Sequence, residues 1–200
     1  MKIDLRTIPD AEVSGIDLMD VDITLPAPEA EPQRQYYFMA LLKQQLVPER
    51  AKKNSKEFLT ACITTFGCQM NEHDSEKIAG MLERMGYQLV PDEIEGKYEN
   101  RICDLIVFNT CCIRENAEEK VFGHIGALKG AKRTKPEMIT VVCGCMTEQQ
   151  HIVDEINRKY KNVDVVFGTH NLYRLPEFLY HALFDGRRVC ELSHTEGEVS

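Results

Sequence analysis

From residue 59 onward, short apolar runs rich in β-branched residues alternate with stretches whose apolar positions recur every three or four residues. "LTACITTF" (59–66) predicts a strand. In "DSEKIAGMLERMG" (74–86), Ile78, Met81, Leu82 and Met85 fall at i, i+3, i+4 and i+7, the stripe of an amphipathic helix that Gly86 closes. "YQLV" (87–90) reads as a short strand and "DLIVFN" (104–109) as a continuously apolar one. "ENAEEKVFGHIGALKG" (115–130) puts Ala117, Val121, Ile125 and Leu128 on one helical face. "MITVVCG" (138–144) is a strand, "TEQQHIVDEINRKY" (147–160) a helix and "VDVVFG" (163–168) a strand. A last helix is expected from Pro176, because proline suits the first helical position. Strands that alternate with helices and are apolar on both faces belong to a parallel sheet covered on both sides. The expected class is α/β, a flavodoxin-like, doubly wound sheet.

The first 58 residues lack this rhythm. Residues 1–33, closing on "LPAPEAEP", are acidic and poor in aromatics, and predict a flexible extension or a loosely docked arm, dispensable for whatever the later residues bind. "YYFMALLKQQL" (36–46) predicts a helix stopping at Pro48, and "PERAKKNSKEF" (48–58) a basic linker or helix. The expected organisation is therefore an acidic extension (1–33), a helical and basic linker (34–58), an α/β domain (59–190) and an acidic linker (191–200).

Charge changes the picture only once it is placed along the chain. The net charge is −8, yet residues 1–33 carry −6 and residues 191–200 carry −3, leaving 34–190 at +1. A nucleic-acid partner is neither indicated nor excluded on that ground. No apolar run approaches the ~18 residues of a membrane span, and "MKIDLRTIPDAEVSGIDLMD" lacks a signal peptide's basic and apolar regions. A cytoplasmic chain is expected, with its eight cysteines reduced and serving as packing residues, reactive thiols or ligands.

Three of those cysteines share a position. Cys68 follows "ITTFG", Cys111 follows "VFNT" and Cys145 follows "VVCG", each just past a strand and before a helix. Parallel strands all end on one side, where ligands collect in such sheets, so the three thiols should lie together. The other five are expected to be small packing residues: Cys62 and Cys143 inside strands, Cys103 opening one, Cys190 beyond the last helix, and Cys112 pointing away from its neighbour. Three thiols suit a cubane iron–sulfur cluster with one iron left for an outside ligand. His170, in "FGTHN", could instead complete a Cys3His zinc site. A redox sensor, pairing Cys111 or Cys112 with Cys143 or Cys145, is a third reading.

"TTFGCQMNEHDSEKIAGML", "FNTCCIRENAEEKVFG", "VVCGCMTEQQ" and "FGTHNLYRLPE", in that order, resemble the N-terminal domain of the radical S-adenosylmethionine methylthiotransferases over residues 59 to about 180. The first two look most like the tRNA branch that modifies dimethylallyladenosine beside the anticodon; a threonylcarbamoyladenosine substrate is the alternative. The resemblance implies an auxiliary [4Fe-4S] cluster on Cys68, Cys111 and Cys145, with tRNA as substrate and sulfur and electron donors as partners. It also implies a second [4Fe-4S] cluster and S-adenosylmethionine in a catalytic domain that binds through C-x3-C-x2-C. No such spacing occurs here. The chain reads as the front part of a longer enzyme, monomeric, and unable to complete the reaction alone.

Around the cysteines, Asn71 reads first as a helix cap and then as a cluster or substrate contact. Asn109 and Thr110 are expected to fix the turn before Cys111 through bonds to backbone. Arg114 is a candidate anion contact, because a cation at a helix start opposes the dipole, whereas Glu115 complements it. His73 is expected at the surface. "KGAKRTKPE" (129–137) gathers four basic residues at a helix C-terminus, where dipole complementarity and tRNA phosphate binding both account for them.

Overall fold

The computed structural model describes residues 1–94, 97–98, 103–113 and 116–192. Its strands are β1 (Thr60–Thr65), β2 (Gln88–Leu89), β3 (Glu93–Ile94), β4 (Lys97–Tyr98), β5 (Leu105–Thr110), β6 (Ile139–Gly144), β7 (Val165–Phe167) and β8 (Val189–Glu191). Its α-helices are α1 (Asp10–Val13), α2 (Gln33–Leu41), α3 (Val47–Lys53), α4 (Gln69–Arg84), α5 (Ala117–Thr134), α6 (Gln150–Lys159) and α7 (Leu175–Tyr180). Six strands form one parallel sheet in the order β2-β1-β5-β6-β7-β8, and β3 and β4 form a small antiparallel pair. Successive strands add outward from β1 in both directions, so the topological switch lies between β1 and β5. This is the expected doubly wound class.

Every residue of β5 and β6 is buried, which is why those segments read as unbroken apolar runs. Alternate side chains serve two cores. Leu105, Val107, Val141, Val165 and Phe167 pack with α4, α7 and the helices before the sheet. Ile106, Phe108, Val142 and Val166 pack with Val121, Ile125 and Leu128 of α5 and Ile152, Val153 and Ile156 of α6. No helix among the described residues is long and apolar enough to cross a membrane.

Three differences from the sequence reading have physical causes, and one alternative is decided. Of the two forms expected for residues 1–33, the docked arm is present: Leu5, Val13, Leu18 and Val21 are buried in the α2-side core, and Ile3 bridges to Val21. Its acids are used locally, as where Asp4 and Asp17 accept the amides of Arg6 and Met19. The helix after it does not stop at Pro48. A π-turn (Leu42–Leu46), in which the Val47 amide reaches Leu42 O, joins α2 to α3 and relieves the carbonyl clash that an interior proline causes. α4 starts at Gln69, five residues before the expected start at Asp74, because Cys68 caps it with help from the Asn71 side chain. Cys190 is not a buried packing residue but is exposed in β8, the strand at the edge of the sheet.

At the amino end of the sheet, two aspartates repeat one device. Asp104, just before β5, accepts the Thr60 amide at 2.7 Å and meets Lys56 and Lys135, each at 2.7 Å. Asp164, just before β7, accepts the Thr140 amide at 2.9 Å and meets Lys132 at 2.7 Å. Each carboxylate stands one residue before its own strand and ties that strand to the start of its neighbour, and so helps set the register.

Candidate metal centre

Cys111 and Cys145 each stand one residue past their strands, and Cys68 stands three past β1. Thr65 pairs with Asn109, and Thr110 with Gly144, so the structure brings all three cysteines to the carboxyl end of three adjacent strands. Two glycines permit the close approach. Gly67 has φ +142°, and a Cβ there would lie 2.6 Å from Cys111 Cβ and 2.3 Å from Asn71 Oδ1. Gly144 has φ +105°, and a Cβ would lie 2.3 Å from Thr110 O. No other residue fits either place without moving backbone.

Beneath the thiols runs an uncharged network. Asn71 is not the cap itself: Cys68 is the N-cap of α4, and Asn71 Oδ1 accepts the Cys68 amide at 3.3 Å. Asn71 Nδ2 donates to Asn109 Oδ1 at 3.3 Å and to Thr110 O at 2.9 Å. Asn109 Nδ2 donates to Asn71 O at 2.7 Å and to Ser75 Oγ at 3.0 Å, and Ser75 meets Thr65 Oγ1 at 2.7 Å. Thr110 Oγ1 donates to Cys143 O at 2.6 Å. Asn109 and Thr110 thus bond to backbone, as expected, but to that of neighbouring elements rather than of their own turn. Ser75, Thr65, Gly67 and Gly144 escaped the sequence reading; the i, i+4 pairing of Asn71 with Ser75 and the glycine before Cys68 and Cys145 were the available signals.

Backbone donors also face the sulfurs. The Cys112 amide points at Cys145 Sγ at 3.1 Å, and the Ile113 amide at Cys111 Sγ at 3.5 Å. Cys111 is buried, Cys145 half-buried and Cys68 exposed. The Cys145 thiol is pushed up to about 12, first by burial and then by the Cys112 side chain. Cys112 therefore does not point away: its thiol reaches Cys145, because strand alternation ends at Thr110 and the chain turns there. No disulfide links any of the eight cysteines. Cys62, Cys103 and Cys143 are buried as expected, and burial raises the Cys143 thiol.

Among the described residues, no three His, Cys, Asp or Glu side chains gather around one point as a single ion requires. His170 is exposed in the 3-10 turn after β7 and has no hydrogen-bond or ion-pair partner among the described residues, so geometry does not assemble the Cys3His site. A cubane makes a different demand, since its three thiolates bind three separate irons. Three thiols on adjacent strand ends, with backbone amides directed at two of them and no carboxylate in the network, fit that donor pattern. His73 is exposed beside Glu76. Arg114 and Glu115 lie outside the described residues.

Residues 60–168, which include all three cysteines, match the uncharacterized protein family UPF0004. The chain belongs to that family. Among curated relatives of this UPF0004 member, the tRNA-2-methylthio-N(6)-dimethylallyladenosine synthase of Acetivibrio thermocellus is 45% identical over 170 residues, 85% of this chain and 34% of the relative. The protein of the same name from Alkaliphilus oremlandii is 56% identical over 121 residues, 60% of this chain and 24% of the relative. That from Clostridioides difficile is 42% identical over 177 residues, 88% of this chain and 35% of the relative. The last match is long enough to take in α2 and α3 ahead of the UPF0004 span. The chain spans about a third or less of the length of these relatives.

Proposed function

We propose that this chain is the cluster-bearing portion of a tRNA methylthiotransferase, with Cys68, Cys111 and Cys145 holding a [4Fe-4S] cluster. The observation that supports the reading is that Cys68, Cys111 and Cys145 follow three adjacent parallel strands at the carboxyl end of the sheet, with the amides of Cys112 and Ile113 directed at two sulfurs. When bound, such a cluster supplies one iron without a protein thiolate, a place for sulfur chemistry. The chain's own residues do the positioning. Asn71 and Asn109 lock the Cys68 loop to the end of β5, and backbone amides offset charge on the sulfurs.

The whole enzyme's reaction is the addition of a methylthio group to carbon 2 of dimethylallyladenosine in tRNA, the substrate named for the relatives. The methylthiotransferase resemblance implies that a second cluster and S-adenosylmethionine are supplied by a separate catalytic domain. Threonylcarbamoyladenosine is the alternative substrate. Anaerobic reconstitution followed by iron and acid-labile sulfide analysis tests the reading. About four of each per chain are expected, and zinc without sulfide would sink it.

A second reading has its own observation, the contact between the Cys112 and Cys145 thiols. On oxidation these two would lose two electrons and two protons to an oxidant such as glutathione disulfide and form a disulfide. Under that reading, mass spectrometry after mild oxidation finds the 112–145 link reversibly formed in a protein that never takes up sulfide.

A further inference from the structure

Two apolar residues at the thiol end of the sheet have no part in either core. Met70 is 74% exposed and Ile113 82%, the most exposed large apolar side chains among the described residues apart from Met1. Single apolar side chains at a surface need no explanation, but these two share a place. Met70 stands two residues after Cys68, in the first turn of the helix that Cys68 caps. Ile113 stands two residues after Cys111, and its amide points at Cys111 Sγ at 3.5 Å. The segments that carry them touch: a Cβ on Gly67 would lie 2.6 Å from Cys111 Cβ, and Asn71 Nδ2 donates to Thr110 O at 2.9 Å. Cys68 and Cys112 are exposed in the same two segments.

The fold gains little from either side chain, since an apolar group stabilises by leaving water. A bare apolar pair beside thiols does suit a ligand that brings its own apolar group to them. The substrate named for the relatives is of that kind. In adenine, only N1 separates carbon 2 from carbon 6, the atom that carries N6. A dimethylallyl group on N6 therefore hangs from the same edge of the base as carbon 2. When that edge faces the thiol site, the five-carbon group comes down on the rim around it. A threonylcarbamoyl group in the same place would bring a carboxylate and a hydroxyl, which lose water against apolar side chains without gaining a partner.

We propose that Met70 and Ile113 are specificity residues, which take the dimethylallyl group of the substrate adenosine between them at the rim of the thiol site. Methionine suits the task, because its unbranched side chain adapts to the shape of what it covers. The proposal rests on the reading above that the site acts on dimethylallyladenosine in tRNA, and it adds the contacts that would select that base over threonylcarbamoyladenosine.

Fluorescence anisotropy of the anaerobically reconstituted chain tests it, with three stem-loop RNAs that differ at one loop adenosine: unmodified, N6-dimethylallyl and N6-threonylcarbamoyl. The dimethylallyl RNA is expected to bind about fivefold or more tighter than the other two. The double variant Met70→Gln, Ile113→Thr changes only exposed side chains and keeps the Ile113 amide, so circular dichroism and iron content should be unaltered. Its preference should fall below about twofold, whereas Met70→Leu, Ile113→Val should keep the preference of the parent. A preference that survives the polar variant overturns the proposal, as does one lost equally in the apolar variant. Equal or absent binding of the three RNAs by a chain with its full iron also overturns it. Iron analysis of the same samples separates the two readings. Normal iron uptake without discrimination defeats this proposal alone, and discrimination by a chain that takes up no iron defeats the cluster reading alone.

Discussion

At the amino end of the sheet, carboxylates are matched to lysines and to strand amides: Asp104 to Lys56, Lys135 and Thr60, and Asp164 to Lys132 and Thr140. At the carboxyl end the corresponding positions hold Asn71, Asn109, Ser75 and Thr65, uncharged groups that satisfy one another, with thiols above them. Both ends fix strand register. One does so with charge that is answered inside the protein, whereas the other keeps charge out. A site meant to hold thiolates around an anionic inorganic core gains from amide donors and loses from neighbouring carboxylates. The comparison teaches that one end is tied by charge and the other by neutral groups, and that only the second suits the proposed cluster.

Four experiments can break or sharpen this contrast. The largest effect is expected at the carboxyl end: Cys111→Ala should lose nearly all iron after anaerobic reconstitution, while Cys112→Ala retains most of it. Cys112 is exposed, its backbone amide survives the change to alanine, and its thiol, which meets Cys145, is not one of the three proposed ligands. Iron held by Cys111→Ala and lost by Cys112→Ala would reverse the ligand assignment.

Next comes Gly144→Ala, which combines left-handed backbone strain with a Cβ 2.3 Å from Thr110 O. A loss of about 3–4 kcal/mol in urea unfolding is expected. A variant as stable as the parent would show that β5 and β6 do not approach as closely as described.

Third, Asp104→Asn should cost about 2–3 kcal/mol at neutral pH, because two lysines and an amide lose their carboxylate. Burial pushes the Asp104 carboxyl up, but hydrogen bonds from Lys135 and Lys56 and from the Thr60 amide outweigh it, so its pKa lies below the ordinary 3.8. The contribution is therefore complete above about pH 4 and fades as pH falls through the lower folded value. Stability of parent and variant should converge as pH falls from 3.8 through the lowered folded value. A gap that stays constant with pH would mean that packing, and not charge, holds this end.

The smallest effect is predicted for Lys77→Ala in α4. Its partner Asp74 is 3.6 Å away at i, i+3, and Lys77 is more than half exposed. Less than about 0.5 kcal/mol should be lost, and a larger cost would place hidden electrostatics beside the thiol site.

What could be read from the sequence follows from what has a period. The strands and helices between residues 59 and 180 announced themselves because β5 and β6 are buried on both faces and α4, α5 and α6 on one. The shared position of Cys68, Cys111 and Cys145 needed only parallel strand order. The asparagine network was illegible, because Asn71 meets Asn109 through inter-strand register and not through spacing. Cys112 was misread because alternation was extended two residues past the end of β5. Which residues of the arm dock was illegible for a related reason. Leu5, Val13, Leu18 and Val21 are solitary apolar residues in acidic surroundings, and only the helices that they pack against give them meaning.

Glu177 offers a practical consequence. Though 6% exposed, it accepts from Arg34 at 2.7 Å and from Gln35 at 3.0 Å, clasping α7 to α2 across the whole chain. The stretch that defines the family, 60–168, ends before α7 and begins after α2 and α3. A protein trimmed to that stretch would lose the cover over Val165 and Phe167, and its sheet would present a bare apolar face to any neighbour. The segment by which these proteins are recognised is thus smaller than the segment that can stand alone, and a worker isolating the thiol site should cut outside the clasp.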